Sequence, residues 1–225
     1  MNKYALIVAG GTGSRMSSNI PKQFLEVNEK PILMHTIEAF HRYDKNISII
    51  LILPEKQRKL WETLCKKYNF NIALNIAFGG KTRFQSVKNG LSLINSDGIV
   101  FIHDGVRPLV SRSTIENCCK TALKKGNALP VVSLSESIRE VSGNKNCSAD
   151  RNRFFMVQTP QTFRVPLIKN AYQQDYSGKF TDDASLLESH GISINLVKGN
   201  RENIKITYQE DLIIAEALLK NRISE

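Results

Sequence analysis

Behind the apolar run Tyr4–Val8, the segment AGGTGSRM (Ala9–Met16) carries Gly10, Gly11 and Gly13 ahead of one fixed cation, Arg15. Glycines let backbone N–H groups come close to an anion. A dinucleotide-binding fingerprint needs a third glycine where Met16 stands, and a P-loop needs a Gly-Lys-Ser/Thr ending that is absent. Phosphate chemistry with a guanidinium at the loop's end remains. Polar residues recur behind later segments: Lys22 in PKQF, then Gly79, Gly80, Arg83 and Ser86 in GGKTRFQS, then Asp104 and Arg107 in HDGVRP. Arg151 in DRN, Thr159 in TPQTF, Asp182 and Asp183 in TDDAS, and Lys205 in NIKIT complete the set. His103 reads as a hydrogen-bonded structural residue rather than a base.

The elements that must position these residues alternate. KYALIVA, ISIILIL, NIALNIA, GIVFIHD and NALPVVSL are short apolar runs of the kind buried on both faces of a sheet. Helical segments lie between them: PILMHTIEAFHRY, EKQRKLWETLCKKY, RFQSVKNGLSLI and TIENCCKTALKK. Pro31 suits the first turn of the first helix. Ser113 with Glu116, and Thr207 with Glu210, each match a capping box. Such alternation predicts an α/β fold, a mostly parallel central sheet covered by helices, with its ligand at the strand carboxyl ends. Residues 135–157 break the rhythm with two alternating segments around SGNKN, which predicts a projecting β-arm.

The chain has 225 residues, 41% hydrophobic and 23% charged, which suits one well-buried domain over residues 1–225. No apolar run reaches the roughly 18–20 residues of a membrane span, and the N-terminus is a poor signal peptide. Cys65, Cys118, Cys119 and Cys147 lack metal-ligand spacing and read as reduced thiols of a cytoplasmic protein. A net charge of +10 suits nucleic acid, an anionic membrane surface or small phosphorylated substrates. The basic clusters KQRK, CKK and LKK fall on polar helix faces, and no aromatic-basic or zinc-finger pattern accompanies them. A non-catalytic nucleic-acid-binding module would account for the charge, but not for cations at strand ends. A nicotinamide dehydrogenase lacks its third glycine and an acid after the second strand.

Taken in order, these motifs resemble the 2-C-methyl-D-erythritol 4-phosphate cytidylyltransferase family of the non-mevalonate isoprenoid pathway. The resemblance spans essentially the whole chain. It implies a Rossmann-like nucleotidyltransferase fold. The implied reaction joins CTP and methylerythritol phosphate into the CDP-linked alcohol and pyrophosphate, with Mg²⁺. Two anions approach and charge builds on a five-coordinate phosphorus, so positioning and charge neutralisation dominate. No general base is needed, because a phosphate dianion is already a nucleophile.

By the resemblance, Arg15 and Lys22 stabilise the transition state. The nucleotide is bound by the loop Ala9, Gly10, Gly11, Thr12 and Gly13, with Gly80, Arg83, Ser86, Asp104, Gly105 and Arg107. Within that set, Ala9, Gly10, Gly80 and Ser86 read the cytosine, and Asp104 faces the ribose, the triphosphate or the metal. Ser137, Arg151, Thr159 and Lys205 hold the methylerythritol phosphate, with Arg151 and Lys205 aiming its phosphate. The arm reaches a partner subunit's site, so the family pattern implies a homodimer; neither nucleic acid nor membrane is a partner. Three positions depart from the pattern. Ser137 replaces a threonine, Lys81 stands where some members carry an acid, and HDGVRP replaces HDAARP. The valine of HDGVRP also occurs in ribitol 5-phosphate cytidylyltransferases, the alternative substrate class. DRN, TDDAS and ENIKIT match the methylerythritol enzymes better.

Overall fold

Strands with apolar side chains on both faces need helices on both sides, and the computed structural model, which describes residues 1–11 and 20–223, has that arrangement. The chain runs β1 (Asn2–Val8), a 3-10 turn (Lys22–Phe24), β2 (Glu26–Val27), β3 (Lys30–Pro31), α1 (Ile32–Tyr43) and β4 (Ser48–Leu53). It continues through α2 (Arg58–Lys67), β5 (Asn75–Phe78), α3 (Arg83–Ser92), β6 (Gly98–Asp104), α4 (Arg112–Lys125) and β7 (Asn127–Ser133). Then come β8 (Ile138–Ser142), β9 (Lys145–Ala149), β10 (Phe155–Val157) and β11 (Gln161–Arg164). The last elements are α5 (Val165–Ala171), α6 (Asp183–Glu188), β12 (Leu196–Lys198) and α7 (Gln209–Ile223).

The main sheet has the order β10-β7-β11-β6-β1-β4-β5, with β12 also paired to β7. β1 pairs in parallel with β4 and β6, β4 with β5, and β12 with β7. β11 runs antiparallel to β6 and β7, and β10 antiparallel to β7. From β1 the chain winds out to β4 and β5, then crosses back to β6 on the other side. The carboxyl ends of β1 and β6 therefore flank a topological switch point, where open α/β sheets bind ligands. Register pairs Val8 with Asp104 there.

Alternation along each strand divides the core. Ala5, Ile7, Ile49, Leu51, Ile99 and Phe101 face α1 and α4, packing with Ile37, Phe40, Ile115 and Cys118. Their neighbours Leu6, Ile50, Ile52, Val100 and Ile102 face α3, α5 and α6, packing with Val87, Leu91, Ile168 and Leu187. Each buried Val, Leu, Ile or Phe among them contributes roughly 1.5–3 kcal/mol. The site therefore stands on a rigid sheet.

Several local expectations change. The strand in NIALNIA is confined to Asn75–Phe78, opposite Ile50–Leu53; Ile72 and Leu74 pack on the core ahead of it. Pro31 stands just before α1, in extended backbone, rather than inside it. Ser111, not Ser113, caps α4, its Oγ accepting the Thr114 N–H at 3.1 Å, while Glu116 pairs with Lys120. Asp211, not Glu210, reaches back at the start of α7, accepting the N–H groups of Thr207 (2.7 Å) and Tyr208 (2.8 Å). Of the segment expected to project, β8 and β9 form a separate two-stranded hairpin, while β10 returns to the main sheet. Among the described residues no helix is long and apolar enough to cross a membrane.

Candidate active site

A cavity of about 290 Å³ opens at the switch point, between the loop after β1, the loop after β5 and the end of β6. Its walls are built by short-range constraints. The Ala9 N–H donates to the Ile52 carbonyl (2.9 Å), which holds the start of the glycine loop against β4. Lys22–Phe24 forms one 3-10 turn whose successive side chains diverge. Lys22, buried in the cavity wall, donates from Nζ to the Ile206 carbonyl at 3.2 Å. Gln23 turns to the Ala9 carbonyl (2.9 Å), and Phe24 enters the core against Trp61.

Opposite, Gly79 donates its N–H to the Leu53 carbonyl (2.9 Å) and ends β5. Thr82 caps α3, accepting the Gln85 N–H at 3.1 Å. Ser86 Oγ, one turn on, donates to the Thr82 carbonyl (2.8 Å) and accepts the Gly80 N–H (3.0 Å). A Cβ on Gly80 would lie 2.1 Å from Gln85 Cγ, so this close fold of loop on helix needs glycine. Arg83 lines the cavity and makes a two-pronged pair with the fully buried Asp183 (2.8 and 2.5 Å). Burial opposes the charge of Arg83, but Asp183 outweighs it and raises the guanidinium pKa. Asp183 also accepts the Tyr172 hydroxyl (2.6 Å), and its N–H donates to Gln161 Oε1 (2.9 Å).

Asp104 is the one carboxylate that lines the cavity among the described residues. Its Oδ2 meets Lys205 Nζ and Arg107 Nε, each at 3.1 Å. Burial works against this charge, but Lys205, Arg107 and Arg83 together hold the carboxyl well below the usual carboxylate range. It stays ionised. Arg107 also donates to the Asn203 carbonyl (2.8 Å), tying β6 to the loop that carries Lys205.

Behind Asp104 runs a neutral chain of hydrogen bonds. His103 Nε2 donates to the Arg107 carbonyl (3.0 Å), which fixes the tautomer, so Nδ1 accepts the Thr159 hydroxyl (3.0 Å). That hydroxyl oxygen accepts the Asp104 N–H (3.1 Å). Burial pushes the His103 pKa down to about 4. Its ring is held neutral.

Of the residues singled out in the sequence, Ala9, Gly10, Gly11, Lys22, Gly80, Arg83, Ser86, Asp104 and Lys205 line one cavity. Gly105, Arg107 and Thr159 stand behind it. Gly105 ties β6 to β1 through its N–H on the Val8 carbonyl (2.9 Å). Thr159, expected to touch the alcohol substrate, is buried here, with its hydroxyl bonded to His103 Nδ1 and to the Asp104 N–H. Ser137 and Arg151 lie exposed at the base of the hairpin, outside the cavity wall, with Arg151 donating to the Ser135 carbonyl (2.6 Å). Thr12, Gly13 and Arg15 lie outside the described residues.

Gln23, Thr82 and Asp183 had no role expected from their motifs. An amide beside the lysine of PKQF and an acid in TDDAS were visible, but their partners are far away in sequence. Among the described residues no three His, Cys, Asp or Glu side chains converge on a metal-sized site. The donor set suits a cation that arrives with a phosphate ligand and takes one carboxylate from the protein.

Comparison with known proteins places the whole chain. The 2-C-methyl-D-erythritol 4-phosphate cytidylyltransferase family model matches residues 4–221. The chain is 50% identical over 219 residues to a protein of that name from Phocaeicola vulgatus, covering 97% of this chain and all of the relative. A relative of the same name from Bacteroides fragilis gives the same identity and coverage. The fold superposes on the 4-diphosphocytidyl-2C-methyl-D-erythritol synthase of Anaerococcus prevotii with a TM-score of 0.82 at 26% identity, covering 97% and 98% of the two chains. It superposes on the 2-C-methyl-D-erythritol 4-phosphate cytidylyltransferase of Francisella tularensis with a TM-score of 0.80 at 31% identity, covering 96% and 99%.

Proposed function

The chain belongs to the 2-C-methyl-D-erythritol 4-phosphate cytidylyltransferase family, and from that premise we propose how its residues join CTP to 2-C-methyl-D-erythritol 4-phosphate. A phosphate oxygen of the alcohol attacks the α-phosphorus of CTP. The new P–O bond forms as the bond to the β-phosphate bridging oxygen breaks, giving 4-diphosphocytidyl-2-C-methyl-D-erythritol and pyrophosphate. The observation that carries this reading is a switch-point cavity holding Lys22, Arg83, Lys205 and one ionised carboxylate, Asp104.

Lys22 acts as a point charge on the triphosphate as negative charge builds, preorganised by its bond to the Ile206 carbonyl. We assign Arg15 the same work from the glycine loop that also includes Gly11, Thr12 and Gly13. Ala9, Gly10, Gly80 and Ser86 read the base. Arg83 braces α3 through Asp183. Lys205 aims the attacking phosphate, held in reach by Asp104. Arg107, Gly105, His103 and Thr159 position Asp104. Asp104 is the residue that would hold Mg²⁺ brought in by the nucleotide; the ion supplies further charge neutralisation on the phosphate oxygens.

The exposed hairpin supports a homodimer in which Ser137 and Arg151 of one subunit complete the site of the other. Val141, Phe154, Phe155, Met156 and Val157 are left exposed around it, as apolar residues awaiting a partner surface would be. Residues 1–225 then work as one nucleotidyltransferase domain, with 135–157 as its arm. The free state of all four cysteines and the use of CTP support a cytoplasmic enzyme.

A coupled pyrophosphate assay with CTP tests this assignment. Release with methylerythritol phosphate should exceed that with ribitol 5-phosphate by at least about 10²-fold in kcat/KM, because unmatched buried polar groups reject the analogue. Preference for ribitol 5-phosphate would overturn the named substrate, and no release with either alcohol would overturn the enzyme class.

A further inference from the structure

We propose that Gln23 is a positioning residue for base recognition: held by Gln57, it aims the Ala9 carbonyl as a fixed acceptor that favours cytosine over uracil. The proposal rests on the cytidylyltransferase reading above and adds to it the device that sets base selectivity.

Gln23 and Gln57 are both buried, 1% and 5% exposed. Gln23 Nε2 carries two protons and lies 2.9 Å from the Ala9 carbonyl oxygen and 2.7 Å from Gln57 Oε1. The Gly11 carbonyl is a longer third neighbour at 3.5 Å. The amide has one workable orientation, because flipping it would set an oxygen against these acceptors. Gln57 is itself anchored, its N–H donating to the Pro54 carbonyl at 2.9 Å. With the Ala9 N–H engaged by Ile52 and its carbonyl by Gln23, Ala9 is held through the peptide groups on both of its sides.

A carbonyl oxygen has two lone pairs. Among the described residues Gln23 uses one, and Ala9 lines the cavity, so the proposal gives the other to the base. Ser86 presents the same chemistry from the opposite wall. Its proton goes to Thr82 and its oxygen already accepts from Gly80, so it meets a ligand as an acceptor. A Cβ on Gly10 would lie 3.8 Å from Ser86 Oγ, so the two walls are close. Cytosine presents two amine protons at the position where uracil presents a carbonyl oxygen. Acceptors held rigidly bond the first and repel the second.

The test is calorimetric binding of CTP and UTP, with Mg²⁺ present, to wild type, Gln23→Met and Gln57→Met. Methionine keeps the volume and removes the amide. Gln23→Met should lower the ratio of CTP to UTP affinity by about tenfold, the scale of one neutral hydrogen bond. Gln57→Met, which leaves the cavity wall intact, should lower it in the same direction by less. An unchanged ratio in either folded variant would overturn the proposal, whatever happens to the melting temperature, because a merely structural role moves stability alone. If Gln23→Met does not fold, Gln57→Met decides by itself. Absence of turnover with methylerythritol phosphate would count against the functional reading and leaves this binding ratio as an independent measure.

Discussion

Lys22 and His103 are buried polar side chains within one site, yet their surroundings give them opposite tasks. Lys22 has its ammonium at the cavity wall on a backbone carbonyl, and the proposed role uses that fixed charge against the developing phosphate charge. Lys22→Ala should lower turnover by about 10²–10³-fold, the scale of one preorganised electrostatic donor, with CTP affinity falling much less. Steady-state kinetics with both substrates saturating checks this, and near wild-type kcat would remove Lys22 from the transition state. His103 is held neutral, its pKa moved from 6.5 to about 4 by burial. As pH falls below 6.5 the unfolded chain takes up this proton first, so the stabilisation is complete above that value and is lost towards pH 4. The loss should approach about 3 kcal/mol at the low end. Urea unfolding from pH 7 to 4.5 should show a steeper fall for wild type than for His103→Gln; parallel profiles would mean the ring does not titrate in this way.

At the scale of elements, β8 and β9 form a hairpin detached from the main sheet, and its base carries Ser137 and Arg151. A two-stranded ribbon is marginal alone, which fits an arm that gains its stability against a second surface. If one subunit's arm completes the partner's cavity, Lys22→Ala and Arg151→Ala subunits are each inactive as homodimers. Random exchange makes half the dimers mixed, each with one intact site, so activity should return to about a quarter of wild type. Recovery is read from pyrophosphate release after confirmed subunit exchange, and none would assign Arg151 to its own subunit. The helix ends show how tertiary packing edits local signals. Ser111 and Ser113 both suit a cap, but Asn200 Oδ1 accepts the Ser111 N–H (3.1 Å) and the Thr114 hydroxyl (3.0 Å). The loop after β12 therefore anchors the helix start at Ser111.

For the whole molecule, a net charge of +10 is compatible with nucleic acid, but the cations that the sheet gathers at β1 and β6 surround a small cavity. CTP with Mg²⁺ should therefore raise the melting temperature. At a hundred times Kd the stabilisation is about 2.7 kcal/mol, a shift of roughly 5–10 °C for a chain of this size. NAD and duplex DNA should give none. A larger shift with duplex DNA than with CTP would return the charge to a nucleic-acid role.

By itself the sequence determined the alternation of buried strands with amphipathic helices, the glycine loop, the strand-end cations and the family, because each of these is written in local periodicity or in short contiguous motifs. Tertiary structure decided who meets whom. Arg83 and Asp183, a hundred positions apart, become partners because α3 and α6 share one face of the sheet. Thr159 meets the Asp104 N–H, 55 positions away, because β11 runs antiparallel beside β6. Gln23 acquires Ala9 and Gln57 because a 3-10 turn, the end of β1 and the start of α2 converge at one edge of the cavity. Spacing along a chain fixes which side chains share an element's face. Contacts between elements depend on strand order, register and packing, which only the folded sheet supplies.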